Sequence, residues 1–232
     1  MSDSKDKTRE HLEKFLIRSV QIIKDLSAEK MIEESAINPL LAKTLGFNDF
    51  DSLARFYVYQ RVGRSLVTSF GTRMEEFIKA IIGGEKGTWW DVVKKTPKVD
   101  YYISVKSGPR DMNKDQVIEF SRRAKQIMKT NPKAHPLIAM VYGKKIWPVI
   151  TDTLRKEGLD PDKHSAAGKK LYDLLVGNPH HYKVLLNLVT KIESQVIGNQ
   201  TILDILEDKV KEIASDFKKK YKDVDDLLAD TF

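Results

Sequence analysis

Residues Trp89–Glu119 read WWDVVKKTPKVDYYISVKSGPRDMNKDQVIE. Two short β-branched and aromatic runs, Trp89–Val93 and Tyr101–Val105, are separated by turn residues around Pro97-Lys98. This predicts two strands of an antiparallel hairpin. A turn centred there sets Asp91 opposite Ser104, and directly opposed residues hold their side chains close enough to share a site. Alternation along the second strand puts Ser104 and Lys106 on one face. The hairpin therefore brings a carboxylate, a hydroxyl and an ammonium to one spot. Asp100 shares that face but falls nearer the turn, about 20 Å from Lys106 at ~3.3 Å per residue. From Asn113 to Lys129 the apolar residues return to helical spacing, with Val117, Phe120, Ala124, Ile127 and Met128 as the buried face.

Outward from this stretch, Pro136–Tyr142 (PLIAMVY) is a nearly continuous apolar run ended by Gly143, the pattern of a buried strand. Upstream, His11–Lys24 reads as an amphipathic helix. A second helix starts at Asp51 or Ser52, breaks at Gly71-Thr72 and resumes over Arg73–Ile82, where Gly83-Gly84 ends it. Downstream, helices are expected over Ala166–Leu175, His180–Ile197 and Thr201–Tyr221, followed by an acidic tail, Asp223–Phe232, expected to fray. Helices, strands, a helix, a strand and helices again make one α/β core with helical additions at both ends. The 232 residues are read as a single domain, with a helical N-terminal part (1–70), an α/β core (71–145) and a helical C-terminal part (146–232).

Composition narrows the chemistry. Cysteine is absent, which excludes disulfides, thiolate metal sites, iron–sulfur clusters and a cysteine nucleophile. There are 40 Lys+Arg against 33 Asp+Glu, a net charge of +7, a bias that suits a nucleic-acid partner. No apolar run is long enough to span a membrane, and the polar start is unlike a signal peptide. The expectation is an intracellular, cytoplasmic protein with no membrane contact.

The run Ile103-Ser104-Val105-Lys106-Ser107-Gly108-Pro109, followed by Asn113 and Gln116, resembles the core of type II restriction endonucleases of the PD-(D/E)XK nuclease superfamily. In that superfamily an Asp on one strand precedes an acidic-x-Lys triplet on the next, and Asp91 stands fifteen residues before Lys106. The segment Gly168–Leu188, with Leu171-Tyr172 and Gly177-Asn178-Pro179, is similar to a helical stretch after the core of some of these enzymes. The resemblance spans roughly residues 70–190 and implies a central mixed β-sheet flanked by helices. It further implies a Mg²⁺-dependent enzyme, with Mn²⁺ as a substitute, that cuts a short specific sequence in double-stranded DNA as a prokaryotic homodimer. Two other readings use the same fold. One is a repair nuclease that recognises DNA structure; the other is a DNA-binding protein without catalysis.

One position departs from the family pattern. Ser104 occupies the acidic place of the triplet, and a hydroxyl supplies no negative charge for Mg²⁺. Some members with Ser-x-Lys bring the carboxylate from the following helix, and Glu119 lies thirteen residues after Lys106. Glu119 also sits well off the apolar face of its helix. Upstream, Glu75 lies at the edge of the Met74, Phe77, Ile78 and Ile81 face, whereas Glu76 points away, so Glu75 resembles the superfamily's accessory glutamate. The implied metal ligands are Asp91, Glu75 or Glu119, and the Val105 carbonyl, with Lys106 as the catalytic lysine; Asp100 is the alternative to Asp91.

Recognition falls to the loop after Lys106. Ser107 opens this DNA-binding loop, Arg110 suits guanine, Asn113 and Gln116 suit adenine, and Lys114 suits a phosphate. Further basic clusters are Arg122-Arg123 with Lys125, Lys144-Lys145 and Lys169-Lys170. The Lys218–Lys222 run reads as a solvated helix end. All five histidines read as surface or helix-start residues. Trp89 and Trp90 are expected to alternate across a strand, one of them into the core.

Overall fold

The computed structural model describes residues 2–232. The elements in chain order are α1 (Ser2–Lys24), α2 (Ala28–Glu33), α3 (Pro39–Thr44), α4 (Phe50–Ile82), β1 (Val92–Lys95), β2 (Asp100–Lys106), α5 (Lys114–Thr130) and β3 (Ala134–Met140). They continue with α6 (Pro148–Lys156), α7 (Pro161–His164), β4 (Ser165–Ala167), α8 (Gly168–Val176), α9 (His181–Ile197), α10 (Ile202–Lys220) and α11 (Val224–Ala229). Two compact units result. One is Phe70–Thr190 with the first residues up to Leu12, and the other is Glu13–Ser69 with Lys191–Phe232.

The first unit is α/β. Its four strands form one mixed sheet in the order β1-β2-β3-β4, antiparallel between β1 and β2 and parallel thereafter. Val92 pairs with Ile103 and Lys95 with Asp100, the register expected from the sequence. β3 is buried from Pro136 onward, as its apolar run requires. Pro136 is tolerated inside this strand for a definable reason. Val141, at odd spacing from it, donates to the Lys106 carbonyl of β2 (3.0 Å), so Pro136 faces the β4 side, where pairing begins only at Ile138. Its carbonyl is taken by His164 Nδ1 at 2.9 Å.

Helix α5 covers one face of the sheet. An Asn113–Gln116 capping box starts it, and Val117, Phe120 and Ala124 are fully buried against Trp90, Ile138, Met140, Ile150 and Leu154. Burying a side chain of that size contributes roughly 1.5–3 kcal/mol, so this face fixes the helix on the strands.

The second unit is helical. Ile23, Met31, Leu53, Tyr57, Val58, Ile213 and Phe217 form its core. Side-chain caps at Ser27, Asn38 and Thr201 start three of its helices.

Five local expectations are corrected. α4 is continuous through Gly71-Thr72, since a lone helical glycine costs only about 1 kcal/mol. Trp89 and Trp90 precede β1 in irregular backbone. Trp90 packs edge-on to Phe120 and Tyr102, and Trp89 edge-on to Trp90. Ser165–Ala167 forms β4 before α8 begins at Gly168; its residues are small and wholly buried. The acidic tail is ordered: Asp223 caps α11, and Val224, Leu227 and Leu228 are buried. Among the histidines, His164 is also buried and lies 5.9 Å from the ring of His135, so these two are not surface residues.

Candidate active site

The hairpin places Asp91 just before β1 and opposite Ser104 of β2. Asp91 Oδ2 accepts the Val105 backbone N–H at 2.7 Å and the Ser104 hydroxyl at 3.4 Å. Its other oxygen has no hydrogen-bond partner among the described residues. Lys106 follows on the Ser104 face and is not ion-paired among them. Asp91, Ser104 and Lys106 line a cleft of about 500 Å³ whose far wall is the start of α5, with Asn113, Gln116 and Glu119, and whose rim includes Trp89.

Glu75, on α4, does not line this cleft, but the charges of Asp91 and Lys106 reach it. It is half-buried and makes no hydrogen bond or ion pair among the described residues. Burial and then the charge of Asp91 push its carboxyl above the ordinary range, while Lys86 and Lys106 pull it back. Glu76 is engaged elsewhere, paired with Lys79 and 3.9 Å from His11 Nε2.

Glu119 reaches the same cleft from α5, but its carboxylate is occupied. It accepts from Arg122 Nε (2.9 Å), Arg122 Nη2 (2.7 Å) and Arg123 Nε (2.6 Å). These donors hold its carboxyl well below the usual range, at about 2. Arg123 also lies over the Trp89 ring at 4.5 Å. Asp100 stands at the other end of β2, where it accepts from Asn131 Nδ2 (2.9 Å) and the Thr96 N–H (3.3 Å). The Thr96 bond closes the hairpin turn, the Asn131 bond ties it to the end of α5, and the cleft lies a full strand away.

In the loop after Lys106, Arg110 and Lys114 are exposed and free of ion pairs among the described residues. Asp111 Oδ2 accepts the Gly108 N–H at 2.6 Å and shapes the turn. Asn113 Oδ1 accepts the Gln116 N–H (2.9 Å), and Gln116 Oε1 accepts the Asn113 N–H (3.0 Å). Both amide oxygens serve the helix cap, and both NH₂ groups remain available as donors. The sequence S/T/N-x-x-Q pattern carries that cap, and a reading directed at base contacts passes over it. Lys86 is a further missed neighbour. It follows the Gly83-Gly84 stop by two residues, and its only signal was charge.

Among the described residues no three His, Cys, Asp or Glu side chains converge. A site built here offers two carboxylates from different elements plus backbone oxygen. That donor set suits Mg²⁺, which commonly takes one or two carboxylates and keeps water and phosphate as its other ligands.

A carboxylate and a lysine sharing one cleft on a strand hairpin, with a second carboxylate close enough to feel their charge, is an arrangement suited to cutting a phosphodiester backbone, and comparison with known families gives the same class. The chain is a type II restriction endonuclease, an enzyme that binds double-stranded DNA and hydrolyses its phosphodiester bonds. It belongs to the family described as type II restriction endonuclease EcoO109I, whose model matches residues 3–195. A comparison with curated proteins finds no match. Among the described residues no helix is long and apolar enough to cross a membrane.

Proposed function

We propose that this enzyme cuts a short specific duplex sequence in a Mg²⁺-dependent reaction, with Mn²⁺ as a substitute, and that Asp91, Glu75 and the Val105 carbonyl hold the ion. The observation that carries this reading is the position of Asp91. One oxygen is fixed by the Val105 N–H while the carboxylate lines the cleft beside Ser104 and Lys106, and Glu75 feels its charge. The N–H and C=O of one strand residue point to the same side. The Val105 carbonyl therefore faces the open edge where Asp91 sits.

The bound cation would supply a water of lowered pKa and offset the charge of the phosphate. The remaining work falls to the chain. Asp91 is held rigid by its backbone bond and fixes the geometry of the site. Lys106 Nζ orients the attacking water and stabilises charge building on the non-bridging phosphate oxygens. The water loses a proton to solvent as its oxygen bonds to phosphorus, the bond to the 3′ oxygen breaks, and that oxygen takes up a proton from solvent. The Ser104 hydroxyl donates to Asp91 and brings no negative charge, so the missing acid would come from another element. Glu75 is the preferred candidate because its carboxylate is unpaired and feels the charge of Asp91. Glu119 is the alternative, and it requires Arg122 and Arg123 to release it.

Ser107, Arg110, Asn113, Lys114 and Gln116 form the recognition loop in this reading. Asn113 and Gln116 act first as donors, through their free NH₂ groups. Cutting both strands of a symmetric site needs one active site per strand, and a two-fold homodimer supplies that.

Digestion of plasmid and phage-sized DNA, with Mg²⁺ and with EDTA, tests the proposal. Discrete Mg²⁺-dependent bands are expected. A smear, or cutting of branched substrates alone, would favour structure recognition. A salt-sensitive gel shift without cutting would make Ser104 the mark of a lost active site.

A further inference from the structure

The sequence holds several basic clusters, and the structure sorts them by what neutralises them. Arg122 and Arg123 are tied to Glu119. Lys125 is paired with Glu157 at 3.2 Å and Lys170 with Asp162 at 3.3 Å. Lys218, Lys219 and Lys220 are paired with Asp51, Asp216 and Asp230. Lys144 and Lys145 differ: both are exposed and neither has an acidic partner among the described residues.

Their position matters more than their charge. They form the apex of the turn after β3, next to the strand that carries Lys106. The turn is anchored on both sides. Val141 donates to the Lys106 carbonyl at 3.0 Å and Tyr142 to the Ser107 carbonyl at 3.2 Å. Beyond the lysines, Ile146 and Trp147 pack on the core under α5. The Tyr142 ring lies directly over Gly108, where a Cβ would come within 2.5 Å of the Tyr142 hydroxyl. Gly143 has φ +120° and approaches Pro109, and a Cβ on Gly168 would lie 2.4 Å from the Gly143 carbonyl. The turn is thus built onto the recognition loop, and glycine at 108 and 168 is what permits the contact. Tyr142 remains 58% exposed despite it. An aromatic hydroxyl and two uncompensated ammoniums are held on a rigid base beside the site of cutting.

We propose that Tyr142, Lys144 and Lys145 form a second DNA-backbone contact, binding phosphates that flank the scissile bond and seating the duplex against the catalytic strand. This rests on the nuclease reading above. Phosphate contacts position a duplex and carry no base information. Removing them therefore weakens binding across sequences and leaves the recognised sequence unchanged.

The test is duplex binding by the full chain in EDTA, measured by fluorescence anisotropy over a range of salt. Each neutralised phosphate contributes about 0.9 to the slope of log affinity against log salt. The double variant K144A/K145A should have a slope shallower by roughly 1.8 and an affinity on the order of tenfold weaker at low salt. Tyr142→Phe should weaken binding less and leave the slope unchanged, because it removes a hydrogen bond and no charge. In cleavage, K144A/K145A should raise KM, keep kcat at saturating DNA and give the same bands. The variant K211A/K219A, which removes equal charge at paired lysines, serves as control and should match the wild type. An unchanged slope in K144A/K145A, or an equal change in the control, would overturn the proposal. A fall in kcat with unchanged affinity would also overturn it, by assigning the turn to positioning Lys106. Wild-type binding without salt dependence would overturn the nuclease reading together with this one.

Discussion

At Asp91 one carboxylate oxygen is committed to the Val105 N–H, and the Ser104 hydroxyl leans on the same atom at 3.4 Å. This arrangement makes Ser104→Asp an informative change. A second carboxylate beside Asp91 repels it in the absence of a cation and adds a ligand in its presence. Cleavage should reach half its maximum at several-fold lower Mg²⁺, and thermal stability without metal should fall; an unchanged Mg²⁺ titration would remove Ser104 from the metal's neighbourhood. The two candidate glutamates separate in the same assay. Glu75→Gln should raise the Mg²⁺ needed by tenfold or more, and Glu119→Gln should change it by less than threefold, since Arg122 and Arg123 already occupy that carboxylate. Reversed effects would move the ligand to α5. Because Glu75 holds its proton to a higher pH than an ordinary glutamate, protons compete with the cation there. The wild-type Mg²⁺ requirement should therefore rise as the medium is acidified, and Glu75→Gln should flatten that rise.

The elements divide by how local their causes are. The β1–β2 pairing was legible because a turn at Pro97-Lys98 fixes which residues oppose one another. β3 was legible because a run of seven apolar residues has few other places to go. Helix α5 followed from spacing. β4 was missed: Ser165-Ala166-Ala167 carries no strand signal, and its conformation is imposed by pairing with Ile138–Met140. α11 was missed because four acidic residues in ten outweighed Val224, Leu227 and Leu228, which are buried only through tertiary packing. The site was legible as far as spacing along one hairpin reaches. The Arg122 and Arg123 clasp on Glu119 was not, because charges three and four residues apart on a helix read equally well as a solvated face. Nor were the histidines: only the fold brings His135 on β3 to His164 on α7. Burial and His164 depress the His135 pKa below its ordinary value. The ring faces Tyr101 of β2, His164 and the Lys163 backbone, and one buried ring nitrogen has no partner. Above a pH of about 6.5 the ring is neutral folded or unfolded; below it the unfolded chain takes the proton first, and stability is lost until the folded pKa is passed. The urea midpoint should fall between pH 7.5 and 5, and His135→Gln should reduce that fall. An identical slope in the variant would exclude this histidine as a cause.

At the scale of the whole molecule, we propose that the 232 residues act as one domain. The chain passes between its two units inside α1, α4 and α9, so unfolding one unit breaks helices that run into the other. Helical circular dichroism and tryptophan fluorescence should report one shared unfolding transition. The three tryptophans all lie in the α/β unit, so fluorescence melting apart from the helical signal would show independent domains. The central claim, that the hairpin carries the chemistry and other surfaces carry the DNA, meets its most direct test in Asp91→Ala, with cleavage and duplex binding measured on the same preparation. The account predicts cleavage lowered by at least a thousandfold in Mg²⁺ and salt-dependent binding within a few-fold of the wild type. Cleavage near the wild-type rate would contradict it and place the active site elsewhere.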